Sequence, residues 1–106
     1  MKPLILDHSQ YDNIGIFLRD YRLALRQIKG KMFTQQAITE MVGLSSPQYL
    51  SNIERCVSPP SHSFTIELAK IYGIPREVLY DVFSAHSRRE LADVFLRRKS
   101  GGKRNE

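Results

Sequence analysis

The sequence predicts an all-α protein, a compact bundle of five to six helices. Three observations carry this expectation. Apolar residues recur at three- and four-residue steps through most of the chain, and residues suited to helix ends punctuate those stretches. No internal repeat, low-complexity segment or credible β-hairpin interrupts them. At 106 residues the chain is long enough for a single modest core.

Residues 1–12 read as an N-terminal arm, in which Leu4, Ile5 and Leu6 could dock as a short extended segment on the domain or on a partner subunit. The first helix follows, with Ile14, Phe17, Leu18, Tyr21, Leu25 and Ile28 on one face. Asp12 or Asn13 can cap its start, and Gly30 can end it near Lys29. Thr34 stands where an N-cap belongs, before a second helix through Ala37, Ile38 and Met41. Gly43 supplies the positive φ that stops that helix. Ser46 can cap a third helix with Pro47 at its first position, where a missing N–H costs nothing. Leu50 and Ile53 point inward from it at helical spacing.

Val57-Ser58-Pro59-Pro60 cannot continue a helix, so a loop follows. Ser61 or Ser63 caps a fourth helix carrying Phe64, Ile66, Leu68, Ala69 and Ile71, closed by Gly73. Pro75 opens a fifth with Val78, Leu79, Val82 and Phe83. Ser87-Arg88-Arg89-Glu90 has the form of a capping box, which predicts a sixth helix with Leu91, Val94 and Phe95 on one stripe.

Composition narrows the function classes. No run approaches the roughly 18 apolar residues of a membrane span, and the N-terminus lacks the features of a secretory signal. A single cysteine, Cys56, cannot form an internal disulfide, which fits a reducing cytoplasm. His8, His62 and His86 lack ligand spacing, and no nucleophile–base pair or phosphate-cradling glycine loop stands out. No metal, cofactor or enzymatic activity is therefore expected. The net charge of +5 is concentrated in two blocks. Residues 97–106 and residues 19–31 each hold five cations against one acid, a pattern suited to a polyanionic partner. A basic tail can equally serve solubility alone.

The stretch from Thr34 to Cys56 reads as helix, glycine turn, helix, with polar groups on the outer face of the second helix. Such a unit places a rigid rod in the major groove of DNA. An ordered set of residues sharpens this: Leu18-Arg19 and Arg22; Thr34-Gln35, Ile38 and Thr39; Gly43-Leu44-Ser45; Leu50-Ser51 and Ile53-Glu54-Arg55; Pro60-Ser61; Leu68-Ala69. Over residues 14–83 the chain thereby resembles the Cro/C1 phage repressor and Xre-like helix-turn-helix family. The resemblance implies a lambda-repressor-like domain over residues 13–83. An additional C-terminal helix at 84–99, a candidate dimerisation element, and a basic flexible tail at 100–106 would follow it.

The resemblance also implies roles. Pro47, Gln48, Tyr49 and Asn52 fall where the family's third helix reads base edges, and the carboxamides of Gln48 and Asn52 suit adenine. Tyr49 could instead pack on the core or hold a phosphate. Lys29, Lys31, Thr34, Gln35 and Ser46 fall where the DNA backbone would lie. Arg22 and Glu54 match a pair that joins the first helix to the third. Leu91, Val94 and Phe95 could pack back on the first helix or form a dimer interface.

Departures from the family pattern shape these expectations. The turn is one residue longer before Ser46, and aligning Ser45 instead would shift every base contact by one. Extra residues separate Arg22 from Gln35, bringing Lys29 and Lys31 near the second helix. Cys56 replaces the usual glycine, and the loop to Ser61 holds no Lys or Arg. The leading expectation is a cytoplasmic, sequence-specific DNA-binding regulator, in the sense of a repressor, acting as a homodimer on a pseudo-palindromic operator. The alternatives are an antitoxin-like regulator that binds a partner protein, and a non-specific nucleic-acid binder that uses the basic tail.

Overall fold

The computed structural model describes residues 6–97, which contain five α-helices and no strand. These are α1 (Ile14–Lys29), α2 (Gln35–Met41), α3 (Gln48–Glu54), α4 (His62–Tyr72) and α5 (Arg76–Ala92). Short 3₁₀ turns at His8–Gln10 and Gly30–Phe33 precede α1 and α2, and a π-helical turn over Asp93–Arg97 prolongs α5. No helix among the described residues is long and apolar enough to cross a membrane. The expected tail and residues Leu4 and Ile5 lie outside the described residues.

The helix ends follow local chemistry. Asn13 is the residue that caps α1, its side chain accepting from the Ile16 N–H, and Gly30 ends that helix at φ 80°. Thr34 caps α2 by accepting from Ala37 N–H, and Gly43 follows it at φ 81°. Ser61, rather than Ser63, caps α4 through Phe64 N–H, and Gly73 closes it in the left-handed conformation. Each such cap contributes on the order of 1 kcal/mol by satisfying a backbone donor that the helix leaves unpaired.

Phe17, Leu18, Ile38, Leu50, Ile53 and Leu68 are fully buried and join α1 to α2, α3 and α4. Full burial of each such side chain is worth about 1.5–3 kcal/mol. Tyr21 stacks on Tyr72 at 6.4 Å, and Phe33 packs against the same ring at 6.2 Å, which closes the core beneath the Gly30–Phe33 turn. Gly15 sets the approach of α1 to α3, because a Cβ there would collide with the Ile53 carbonyl oxygen. The arm docks on its own domain: Leu6 packs against the core, Tyr11 donates to Asp20 at 2.7 Å, and His8 meets Asp81 at 3.3 Å. Its described part includes the 3₁₀ turn over His8–Gln10.

Three expectations are corrected. Ser87 starts no sixth helix; α5 runs unbroken through it. Nothing between Val82 and Glu90 breaks a helix, and the apparent capping box is overridden by two tethers to the start of α1. His86 Nδ1 accepts from Ile14 N–H at 3.1 Å, and Arg89 Nε donates to Asp12 O at 3.0 Å. The stripe of Leu91, Val94 and Phe95 therefore projects past the bundle, 56%, 50% and 65% exposed, and does not pack on α1. Ile28, assigned by periodicity to the buried face, is exposed because α1 outruns the elements beneath it.

Cys56 holds φ 63°, a conformation that strains any residue with a Cβ. Replacing it by glycine relieves that strain and adds unfolded-state entropy, two opposed effects. Cys56→Gly should raise stability by about 0.5–1 kcal/mol in urea unfolding. A lower midpoint for the variant would show that the position is not strained.

Candidate nucleic-acid interface

The third helix is fixed from behind by a buried ion pair. Arg22 on α1 donates from Nε and Nη2 to the two Glu54 carboxylate oxygens, at 2.7 and 2.8 Å. Its Nη1 donates to the Phe33 carbonyl at 3.0 Å, which ties in the turn before α2. Gln35 Nε2 then donates to Glu54 Oε1 at 2.8 Å, so α2 joins the same carboxylate. Arg22 is 6% exposed and Glu54 2% exposed. Burial pulls the Arg22 guanidinium down, but the hydrogen bonds and charge of Glu54 outweigh it, and its pKa lies above the ordinary value.

This network places three of the expected residues. The structural pair of Arg22 and Glu54 is formed, and Arg22 is too deeply committed to reach a phosphate as well. The Gln35 amide, expected as a DNA backbone contact, likewise donates inward to Glu54. A sequence shows that Gln35 is polar but not which neighbour takes its hydrogen bond.

On the outward side of α3, Gln48 Nε2 donates to Asn52 Oδ1 at 2.8 Å. Arg55 Nη2 donates to the same oxygen at 2.8 Å. Gln48, Asn52 and Arg55 thus form a continuous polar row at i, i+4 and i+7, one face of the helix. Arg55 was absent from the expected site. Its spacing from Gln48 was the signal that could have found it, and it supplies the row with a cation.

The turn into α3 has the Ser46 hydroxyl accepting from the Gln48 N–H at 3.3 Å. The helix is assigned from Gln48, one residue later than expected, with Pro47 at the cap position (φ −78°, ψ 4°). Tyr49 points away from the polar row. Its ring packs on Phe64 at 4.7 Å between centroids, and its hydroxyl accepts from the Ser61 N–H at 3.2 Å. Of the three readings open to it, the packing one is what this geometry shows. It links α3 to the start of α4.

Lys29 and Lys31 are exposed on either side of Gly30, next to the N-terminal end of α2. The Lys31 carbonyl accepts from Thr34 N–H at 3.3 Å and from the Thr34 hydroxyl at 3.2 Å. The Thr34 hydroxyl, used as both donor and acceptor, is thereby a cap rather than a ready phosphate ligand. Among the described residues, no group of His, Cys, Asp and Glu is placed to hold a metal ion.

The Tyr72 hydroxyl lies buried with no hydrogen-bond partner among the described residues. Burial first, and the Glu54 charge second, push its pKa well above the ordinary value near 10.

Removing one partner of the ion pair leaves the other charge buried alone. Glu54→Ala should therefore cost about 3–5 kcal/mol, and the double replacement Arg22→Met/Glu54→Leu should recover most of that loss. Urea unfolding of the single and double variants checks this; a loss for the double as large as for the single would contradict it. For Tyr72 the sign is set by the unfolded state, which releases the phenolic proton near pH 10 while the folded state retains it. Stability attached to this group is present below pH 10 and falls as pH rises above it. Tyr72→Phe should be neutral or stabilising at pH 7 and show a shallower decline above pH 10. Parallel declines for the two proteins would contradict this.

Comparison with known protein families, curated proteins and solved structures finds no match.

Proposed function

We propose that this chain is a sequence-specific DNA-binding regulator of transcription, a repressor by preference, with α3 as its reading helix. The observation that supports this most is the row of Gln48, Asn52 and Arg55 on the outer face of a helix whose inner face is locked by Arg22 and Glu54. Carboxamides match the donor–acceptor pair of adenine, and a guanidinium matches guanine or a phosphate. Pro47, at the start of the helix, offers an apolar contact to a thymine methyl. Lys29, Lys31 and the Ser46 hydroxyl serve the sugar–phosphate backbone, where contacts orient the protein without reading sequence.

The reading includes a homodimer on a pseudo-palindrome, with half-site centres about 34 Å apart. Leu91, Val94 and Phe95, exposed on the projecting end of α5, are the surface assigned to that dimer. The chain acts in the cytoplasm and catalyses no reaction in this reading.

Gln48→Ala should reduce discrimination between a specific and a scrambled duplex by about 1–3 kcal/mol. Lys31→Ala should weaken both duplexes alike and lower the salt dependence by about one counterion. Fluorescence titration across a salt series separates these effects. Equal losses on both duplexes for Gln48→Ala would remove the base-reading role.

A further inference from the structure

An open groove of about 800 Å³ runs between α4 and α5, away from the polar row of α3. Its floor is apolar, formed by Ala69, Ile74, Leu79 and Phe83. Ile66 and Tyr80 stand 42% and 73% exposed at its walls. Side chains of this kind gathered in one concave surface mark a place where something binds.

Charge identifies the occupant. The ionised residues lining the groove are Lys70, Arg76 and Arg88, and no acidic residue lines it. The acids of the α5 stretch lie elsewhere: Glu77 is not part of the lining, and Asp81 reaches back to His8. Lys70 has an exposed contact with Glu67 at 3.5 Å. Arg76 and Arg88 form no ion pair among the described residues. The groove follows α5 from Arg76 to Arg88, about 18 Å at the helical rise of 1.5 Å per residue. That length accommodates apolar anchors at i, i+4 and i+7 of a docked helix, which span about 10 Å.

A two-fold pairing of groove on groove between two copies of this chain is the wrong complement. In a two-fold interface each groove would face its own copy, bringing Arg76 and Arg88 of both subunits together. We infer that the α4–α5 groove is a docking site for an acidic amphipathic helix of a different protein. The apolar face of that helix seats on Ile66, Tyr80 and Phe83, and its carboxylates meet Arg76 and Arg88. Such a partner would load the regulator through α4 and α5, outside the polar row of α3. The inference does not rest on DNA binding, because neither the groove nor its cations belong to the proposed DNA surface.

The test uses the full chain and a fluorescein-labelled helical peptide with leucines at i, i+4 and i+7 and glutamates on its outer face. The same peptide with lysines for glutamates is the comparison. The acidic peptide should bind, and the lysine peptide should not. Ile66→Glu and the double variant Arg76→Glu/Arg88→Glu, all at exposed positions, should each weaken binding at least about tenfold. The variant Lys29→Glu/Lys31→Glu alters net charge equally at residues outside the groove lining and should leave peptide affinity unchanged. Failure of the acidic peptide to bind, equal binding of both peptides, or an equal loss on reversing Lys29 and Lys31 would overturn the inference. So would sedimentation showing a dimer that Ile66→Glu dissociates, since a second copy would then fill the groove.

Discussion

The buried contact between Arg22 and Glu54 is the constraint on which the outer polar row of α3 depends. One guanidinium holds α1, the turn before α2 and α3 together, and one carboxylate gathers Arg22 and Gln35. Apolar packing alone would stabilise a bundle equally well, since desolvating two charges offsets much of their attraction. What the ion pair adds is geometry. A planar fork on a carboxylate tolerates little rotation or sliding, whereas leucine against isoleucine tolerates a good deal. Gly15 beneath the Ile53 carbonyl and Tyr49 against Phe64 limit α3 from its other sides. A helix so restrained presents its outer side chains in a fixed register.

Much of this arrangement was legible in the sequence because its signals are local. Thr34, Ser61, Gly43 and Gly73 act through bonds or dihedral angles within a turn of their own position. The Arg22–Glu54 pair is a long-range contact and came from family resemblance, not from spacing. Ser87 shows the limit of local signals. Its capping box is chemically complete, yet His86 and Arg89 hold the same turn against α1 and the helix continues. Ile28 fails for a related reason: periodicity marks a face but not where the neighbouring elements stop covering it. Gln35 and Tyr49 were recognised as chemically capable, but the partner each takes is decided by packing.

The charge distribution complements this frame. The polar row of α3 contributes one cation, Arg55, and the loop from Val57 to Ser61 contributes none. Lys31 sits on the turn that Arg22 anchors through the Phe33 carbonyl, and Lys29 directly precedes it, so the ion pair positions cations as well as α3. In the proposed DNA-binding reading, affinity from charge and selectivity from the carboxamides fall to different parts of one scaffold. The cations at the α4–α5 groove form a third group, set apart by the apolar floor between them.

The central claim, that α3 reads a defined DNA sequence, is tested most directly by selection. Purified protein would be allowed to choose among random duplexes at about 150 mM salt, where non-specific attraction is screened. Enrichment of a palindromic motif containing adenines, with half-sites about one helical turn apart, is the predicted result. Recovery of duplexes with no shared motif would contradict the account and leave α3 as a structural helix with a solvated face.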